Sequence, residues 1–425
     1  PPLARLGGPA GYLYELARAA TADSRGHEVL FPPVAPRAAA PARSPVQEAR
    51  TRLLQSAGRF KRRLFGVPRF YRPPLAELEQ EGGRLAAKLE ANADHVWLEA
   101  ASSREAAQAG ADVLFAHDVF VAERLLAERR PDQEVWLLAH APFPMALYLA
   151  WSWAIPELPW ETIAAFPDVR AGISRELRVW EGVDRLIVPC REAGDELVRV
   201  DPRFAAPLRR ADLLLSGAAG PEMARATARR SPSRRAFRLP ERQPVGLFLG
   251  NAQPYRGLDA LVAALPFLPS GRALPGVVAV AGPPAETVAH HPRLRALGRV
   301  SAVPELLRAI DFVINVNRFS LFDLSTIEAT EAGAPLLLHA TGGNNTFRDL
   351  GAGCQMIGDL APATVAAGLA EMFVLPTEGR SALAAASRTC YETHLTPAHL
   401  WRRHLDLYDV AAAGSTSQRS PKHRS

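Results

Sequence analysis

The chain has 425 residues, of which 48% are hydrophobic and 22% are charged. This balance is that of a soluble globular protein, and the length predicts about two domains instead of one core. Cys190, Cys354 and Cys390 lack the spacing of a zinc site, which indicates reduced thiols and a cytoplasmic location. The chain starts at Pro1 and shows no signal peptide, so we expect it to begin after the natural start.

A glycine-containing loop, Leu6–Gly11, stands near the beginning and precedes an apolar-periodic helix over Tyr12–Ala20. A Gly-His-Glu-Val turn follows at residues 26–29 and leads into a predicted strand. A glycine loop that opens a helix lets a diphosphate approach the backbone closely. Gly8 is therefore a candidate phosphate-binding residue.

The segment Arg50–Arg72 contains eight basic residues and no acid, although the whole chain carries a net charge of only +6. Apolar and aromatic residues are interleaved with the charges, as in a basic amphipathic element that binds anionic lipid headgroups. A solvated arginine-rich loop is the alternative. Nucleic acid is a poorer explanation, because no recognition module surrounds the segment. Proline-rich flanks mark an insertion over about residues 32–90.

Three apolar runs of the N-terminal half read as buried strands: Ala111–Ala116, Val135–Ala139 and Arg185–Pro189. His117 and His140 directly follow the first two. Polar residues at the carboxyl ends of parallel strands line the crevice where α/β proteins bind ligands. Both histidines are therefore predicted to face that crevice, with a purely structural hydrogen-bonding role as the alternative for each.

The uncharged run Val135–Pro156 is 22 residues long, enough to cross a bilayer by length alone. His140, Pro142 and Pro144 stand near its start, and the two prolines remove backbone donors that a membrane helix needs. We expect a strand, a loop and then a helix over Met145–Trp153.

An Ala-, Arg- and Pro-rich connection, residues 205–244, holds the predicted domain boundary. We place the N-terminal domain at residues 1–235 and the C-terminal domain at residues 236–394. An amphipathic helix over residues 395–412 is then predicted, followed by a polar, disordered tail at residues 413–425.

The C-terminal domain is predicted to begin with the strand Val245–Leu249, which leads into a polar loop at residues 250–259. Arg256, near the end of this loop, offers a permanent positive charge and a fork suited to phosphate. Further strands are expected at Val277–Ala281, Phe312–Val316 and Pro335–Leu338. The strand–loop–helix rhythm is that of a parallel α/β sheet.

The loop after Val316 supplies Ser325 and Thr326 just ahead of the helical Ile327 and Glu328. Free backbone N–H groups at a helix start favour a phosphate, and the helix macrodipole adds to the attraction. The Glu328 carboxylate is predicted to face the same crevice, where it can accept hydrogen bonds from a ribose diol.

This segment resembles the donor-binding signature of retaining GT-B glycosyltransferases of group 1 type, the family that includes sucrose and glycogen synthases. The matching positions are Glu328, Ala329, Gly333, Pro335, Gly342 and Gly343. The first acid of the signature is replaced by Ser320, and Leu321 and Asp323 stand where glycine is usual. In the loop after the first strand, Asn251 replaces the family's first cation and Arg256 supplies the second.

The resemblance implies an α/β protein of GT-B fold, with two Rossmann-like domains facing a cleft. It places a nucleotide-sugar donor on the C-terminal domain and an unknown glycan, lipid or small-molecule acceptor on the N-terminal one. Donor-binding positions are then Gly8, Asn251, Arg256, Ser320, Ser325, Thr326, Ile327 and Glu328. His140 matches the histidine beside the reaction centre, and His117 lies on the acceptor side.

Asp323 is the residue that we expect to compensate for the missing acid, with its carboxylate aimed at the sugar instead of the phosphates. It joins His140 as a candidate catalytic residue. No cofactor is expected. The metal-binding Asp-x-Asp motif of the other large glycosyltransferase fold is absent from the sequence, so Arg256 and helix amides are predicted to stabilise the leaving diphosphate without a metal.

Two alternatives stay open. A catalytically degenerate GT-B protein that acts as a binding partner is suggested by Ser320 and Asn251, and a sugar-nucleotide epimerase uses the same fold. The sequence contains no P-loop, no HExxH motif and no G-x-S-x-G elbow. The predicted location is cytoplasmic, with a possible peripheral position at the inner membrane face through Arg50–Arg72.

Overall fold

A computed structural model of the chain describes residues 9–20, 25–28, 110–154, 158–218, 230–269, 274 and 276–418. Two parallel sheets organise these residues, which confirms the predicted α/β architecture. Gly8 and the basic segment Arg50–Arg72 lie outside the described residues.

The first sheet consists of four parallel strands in the order β1-β2-β3-β4. They are β1 (Val113–Ala116), β2 (Glu134–Leu138), β3 (Arg185–Val188) and β4 (Asp212–Leu213). Leu137 pairs with Ala116 on one side and with Leu186 on the other. The central strands are almost wholly apolar and buried, as expected for a parallel sheet covered on both faces.

Helices connect and cover the strands of this sheet. They are α1 (Pro9–Ala19), α2 (Val119–Glu128), α3 (Met145–Leu149), α4 (Trp160–Ala164), α5 (Pro167–Gly182), α6 (Arg191–Val200) and α7 (Ala205–Leu208). α3 continues into a π-helical turn over Ala150–Ala154. The uncharged run after Glu134 is thus a strand, a loop and a helix, as predicted. No helix among the described residues is long and apolar enough to span a membrane.

The second sheet has six parallel strands in the order β10-β9-β8-β5-β6-β7. They are β5 (Val245–Leu249), β6 (Val277–Ala281), β7 (Leu294–Gly298), β8 (Phe312–Asn315), β9 (Leu336–His339) and β10 (Cys354–Ile357). The sequence predicts β5, β6, β8 and β9 to within one residue. It does not predict the two edge strands, because edge strands bury little and carry polar side chains.

Both faces of this sheet are covered by apolar side chains. Val245 and Leu247 of β5 belong to one core cluster, whereas Phe248 belongs to the cluster on the other face, which follows from the two-residue period of a strand. The surrounding helices are α8 (Arg230–Ala236), α9 (Leu258–Ala264), α10 (Val303–Ala309), α11 (Leu324–Glu331), α12 (Gly343–Asp349), α13 (Pro362–Val374) and α14 (Thr377–Cys390).

The last helix, α15 (Pro397–Gln418), returns to the first sheet and packs against α1. The buried Tyr12 hydroxyl lies 2.6 Å from Nε2 of His404, which is 0% exposed. Trp401 and Leu405 join Tyr12 in one apolar cluster. The helix continues past residue 412, where the sequence analysis ended it, because alanines at 411–413 are strong helix formers.

The buried His404 makes the stability of the fold depend on pH. An unfolded histidine takes up a proton near pH 6.5, whereas burial lowers the pKa of His404 to about 3 in the folded chain. Between these two values the unfolded state binds more protons, so stability falls as the pH decreases from 6.5 towards 3. We expect thermal unfolding midpoints to fall less steeply over this window for His404→Gln than for the wild type. Parallel slopes would contradict this assignment.

Candidate active site

The loops that follow β5 and β8 lie side by side, because these two strands are neighbours in the sheet. The β5 loop ends in a 3-10 turn over Pro254–Arg256, and Gly257 then takes up a left-handed backbone with φ of 72°. A Cβ atom at Gly257 would lie 2.0 Å from the carbonyl oxygen of Val316. Glycine is therefore required here, and the close approach brings Arg256 beside the start of α11.

Arg256 is paired with Asp323 in this crevice. Its Nη1 lies 2.8 Å from Oδ1 of Asp323, and the two side chains are 20% and 12% exposed. The guanidinium also stacks over the ring of Tyr255, with Cζ 5.1 Å from the ring centroid. The buried Nε of Arg256 has no hydrogen-bond partner among the described residues. This N–H donor is therefore unsatisfied in the described structure.

The second carboxylate oxygen of Asp323 is held by two asparagines. Nδ2 of Asn317 donates to Oδ2 at 2.6 Å, and Nδ2 of Asn315 does so at 3.2 Å. Asn344 in turn donates to the side-chain oxygen of Asn315 at 3.3 Å. In the described structure the Asp323 carboxylate thus contacts Arg256, and its predicted contact with a donor sugar stays a prediction.

Asp323 is also the residue that precedes α11, and its side chain makes no capping hydrogen bond to that helix. Its backbone carbonyl accepts from the amides of Thr326 and Ile327 at 3.0 and 3.1 Å. The amides of Leu324 and Ser325 have no acceptor within the described part of the chain. Of the predicted positions at this helix start, Ser325 thus has an open N–H group, whereas the amides of Thr326 and Ile327 are bonded. The open amide of Leu324 was not predicted.

The remaining predicted donor-side residues take different positions. Ser320 is 0% exposed, and its hydroxyl donates to Oδ1 of Asn344 at 3.0 Å. The side chains of Thr326 and Ile327 are buried, and the Thr326 hydroxyl accepts from Asn315. Ser325 and Glu328 are half-buried on α11. Asn251 is exposed, with Oδ1 accepting from the amide of Gln253 at 3.3 Å.

The β8–α11 loop also reaches into the first-sheet unit. The Phe319 ring is 0% exposed and belongs to the core cluster of that unit. Its centroid lies 4.7 Å from that of Phe143 and 5.3 Å from that of Trp160. The guanidinium carbon of Arg199 lies 4.1 Å from the Phe319 centroid. This aromatic insertion fixes the loop against both sheets.

Two carboxylates of α6 add polar contacts to the same interface. Glu196 accepts a hydrogen bond from the Thr341 hydroxyl, and Glu192 accepts one from Thr346 at 2.7 Å. Burial raises the pKa of Glu196, and the bond from Thr341 opposes that rise. The glycine loop that contains Gly342 is therefore held from the side of the first sheet.

The structure brings the two predicted histidines together. Nδ1 of His117 and Nε2 of His140 are 2.8 Å apart, and the rings are stacked with centroids 5.1 Å apart. Tyr12 packs edge-on against His140. Burial lowers the pKa of His117 to about 4 and holds that of His140 well below its usual value. Both rings are neutral at physiological pH, so one nitrogen of the contact donates and the other accepts.

The asparagines that hold Asp323, Asn315 and Asn317, were not among the predicted site residues. Asn315 ends β8 and Asn317 follows two residues later, so the rule that singled out His117 and His140 would have found them. Glu196 carried no comparable signal, because its contact with Thr341 joins residues 145 positions apart. In the part of the chain that the structure describes, no three His, Cys, Asp or Glu side chains are grouped to hold a metal ion.

Two cavities, of about 680 and 340 Å³, lie in the first-sheet unit. Trp160, Arg170 and Arg203 line the larger one, and Met145 and Glu176 line the smaller. Neither includes Arg256 or Asp323. The candidate site, where the β5 and β8 loops meet, therefore differs from both cavities.

The interface around Phe319 predicts a large effect of its truncation. Phe319→Ala removes a fully buried ring and should lower the free energy of unfolding by about 3–5 kcal/mol. Phe267→Ala is the matched control, since Phe267 is 61% exposed and should change stability by less than about 0.5 kcal/mol. Urea denaturation of both variants checks this, and equal effects of the two substitutions would be the contrary result.

The part of the chain that matches a known protein family is the part that forms the second sheet. Residues 243–379 match the family model described as Glycosyl transferases group 1. The chain is 30% identical over 274 residues to the D-inositol 3-phosphate glycosyltransferase of Salinispora tropica, an alignment that covers 58% of this chain and 55% of that protein. The chain spans about half the length of the curated relatives it matches.

Solved structures with the same architecture are more distant in sequence. Sucrose-phosphate synthase from Thermosynechococcus elongatus superimposes with a TM-score of 0.54 at 14% identity, over 83% of both chains. HepE from Anabaena, in complex with UDP-glucose, gives 0.53 at 13% identity, over 85% of this chain and 89% of that one. At such identities the likeness establishes the fold. Residues 243–379 thus match the group 1 glycosyl transferase family, in a chain whose two parallel sheets have the GT-B architecture of these solved structures.

Proposed function

We propose that the chain transfers a sugar from a nucleotide-sugar donor to an acceptor, with retention of configuration at the sugar. The observation that carries this proposal is the position of Arg256 at the start of α11. Arg256 contacts Asp323, and the next two amides, of Leu324 and Ser325, are open. A cation and free amides at a helix start together suit a diphosphate. The family match and the UDP-glucose complex of HepE support a donor of this class.

During transfer, negative charge develops on the phosphate oxygen that leaves the sugar. In this proposal the Arg256 guanidinium and the amides at the start of α11 stabilise that charge. They act without a metal ion, because a fixed guanidinium and a helix start already supply positive potential at that point. Glu328, further along α11, binds the ribose diol of the nucleotide.

The acceptor is proposed to bind on the side of the first sheet, near the paired rings of His117 and His140. A neutral imidazole can accept or donate a hydrogen bond to a sugar hydroxyl without bringing a charge. The name of the Salinispora relative makes a phosphorylated cyclitol one acceptor to include in a screen. We also propose, from the sequence of Arg50–Arg72, that the protein works at an anionic cytoplasmic membrane surface.

A second candidate function is a catalytically degenerate binding protein. It is favoured by the buried Ser320 in place of an acid and by the carboxylate that already occupies Arg256. Nucleotide binding without turnover across UDP-, GDP- and ADP-linked sugars would support it. Conversion of a donor in the absence of any acceptor would instead indicate an epimerase.

Replacement of Arg256 tests the proposed diphosphate contact. Arg256→Gln removes a charge-assisted hydrogen bond and should weaken binding of the preferred nucleoside diphosphate by roughly 1.5–3 kcal/mol. Arg235→Gln, which changes an exposed surface arginine, is the control and should bind like the wild type. Isothermal titration with UDP, GDP and ADP measures the effect. Equal affinities of the wild type and Arg256→Gln would remove Arg256 from the site.

Replacement of Glu328 tests the ribose contact. Glu328→Gln keeps the shape but loses the charge, so binding of a ribonucleoside diphosphate should weaken about tenfold, the loss of a charged hydrogen bond. The 2′,3′-dideoxy analogue lacks the diol and should bind both proteins alike. Glu331→Gln on the same helix is the matched control. An equal loss for both nucleotides would show that Glu328 does not contact the ribose.

A further inference from the structure

We propose that Asp323 is an internal anion that competes with the donor diphosphate for Arg256, and thereby sets how tightly nucleotide is held. This inference rests on the proposed function, because it takes the crevice to be the diphosphate site. It adds a specificity-determining residue to that site. This role differs from the contact with the donor sugar that the sequence predicts for Asp323.

The pair is built to stay in place without a ligand. One oxygen of the Asp323 carboxylate accepts a hydrogen bond from Nη1 of Arg256, and the other accepts hydrogen bonds from Asn317 and Asn315. Asn315 is itself fixed by Asn344 and by the Thr326 hydroxyl, which accepts from it at 3.0 Å. Because polar partners hold both oxygens, the carboxylate has a defined position at the guanidinium and is not a mobile surface charge.

The position of Asp323 in the chain explains why it meets Arg256. An aspartate that precedes a helix ordinarily turns its side chain back to the first amides of that helix. Asp323 makes no such bond, so the amides of Leu324 and Ser325 stay open while its carboxylate reaches across to the β5 loop. The helix start is thus ready for an anion, but the arginine beside it is already neutralised.

A diphosphate that uses both features must displace the carboxylate from Arg256. If the pair is closed in about nine molecules of ten, the apparent affinity is about tenfold lower than that of the open site. After sugar transfer, the same carboxylate can return to Arg256 and favour release of the nucleoside diphosphate. Asp323 therefore lowers the affinity for the nucleoside diphosphate after transfer, when this leaving group has to dissociate.

Isothermal titration of the full chain with UDP, GDP, ADP and inorganic pyrophosphate tests the proposal. Asp323→Asn is nearly isosteric and still accepts from Asn317, but it frees the charge of Arg256. We expect it to bind the preferred nucleoside diphosphate about tenfold more tightly than the wild type. In an Arg256→Gln background the same substitution should change affinity less than twofold, because the competition acts through the guanidinium.

Asp259→Asn is the matched control. Asp259 forms an ion pair with Arg318, 2.7 Å apart, beside the same loop and does not contact Arg256. It should leave affinity unchanged. Wild-type nucleotide binding that Asp323→Asn fails to strengthen overturns this inference and leaves the proposed function standing. Absence of binding to nucleotides and pyrophosphate by the wild type and by folded Asp323→Asn overturns both.

Discussion

The loop between β8 and α11 makes contacts with both sheet units at once, and the candidate site depends on that constraint. Phe319 is buried in the core of the first sheet, while Asp323, four residues later, binds Arg256 at the end of the β5 loop. Removing a buried ring from a core costs several kcal/mol of free energy, so the loop has little freedom to move independently of either unit. The crevice therefore takes its shape from packing between the sheets as much as from the second sheet itself.

Charge balance in the crevice follows from this arrangement. Arg256 is the cation that a diphosphate would use, and the same loop that carries Phe319 also brings a carboxylate to it. On the opposite side, Glu196 and Glu192 bind hydroxyls that flank the glycine loop after β9. Acidic groups from both units thus lie near the proposed donor site, and in our proposal an incoming diphosphate competes with Asp323 for Arg256.

The first sheet contributes chemistry of another kind. His117 and His140 are neutral, stacked and placed against Tyr12, while Tyr12 also contacts His404 of the last helix. Burial without a charged partner keeps these imidazoles neutral. The last helix, α15, thus packs through His404 against Tyr12, which in turn contacts His140 on the proposed acceptor side.

The sequence alone determined the α/β class, the central strands, the loop that carries Arg256 and the positions of His117 and His140 after their strands. Alternating and continuous apolar runs report burial directly, and polar residues at strand ends are visible in one dimension. The edge strands of the second sheet were not predicted, since few of their side chains are buried. Only the tertiary structure decided what Asp323 does. Asp323 and Arg256 are 67 positions apart in the sequence. They come into contact because β5 pairs with β8 and because Phe319 is buried. The sequence shows that a carboxylate is present, but it does not show which cation the folded chain will place beside it.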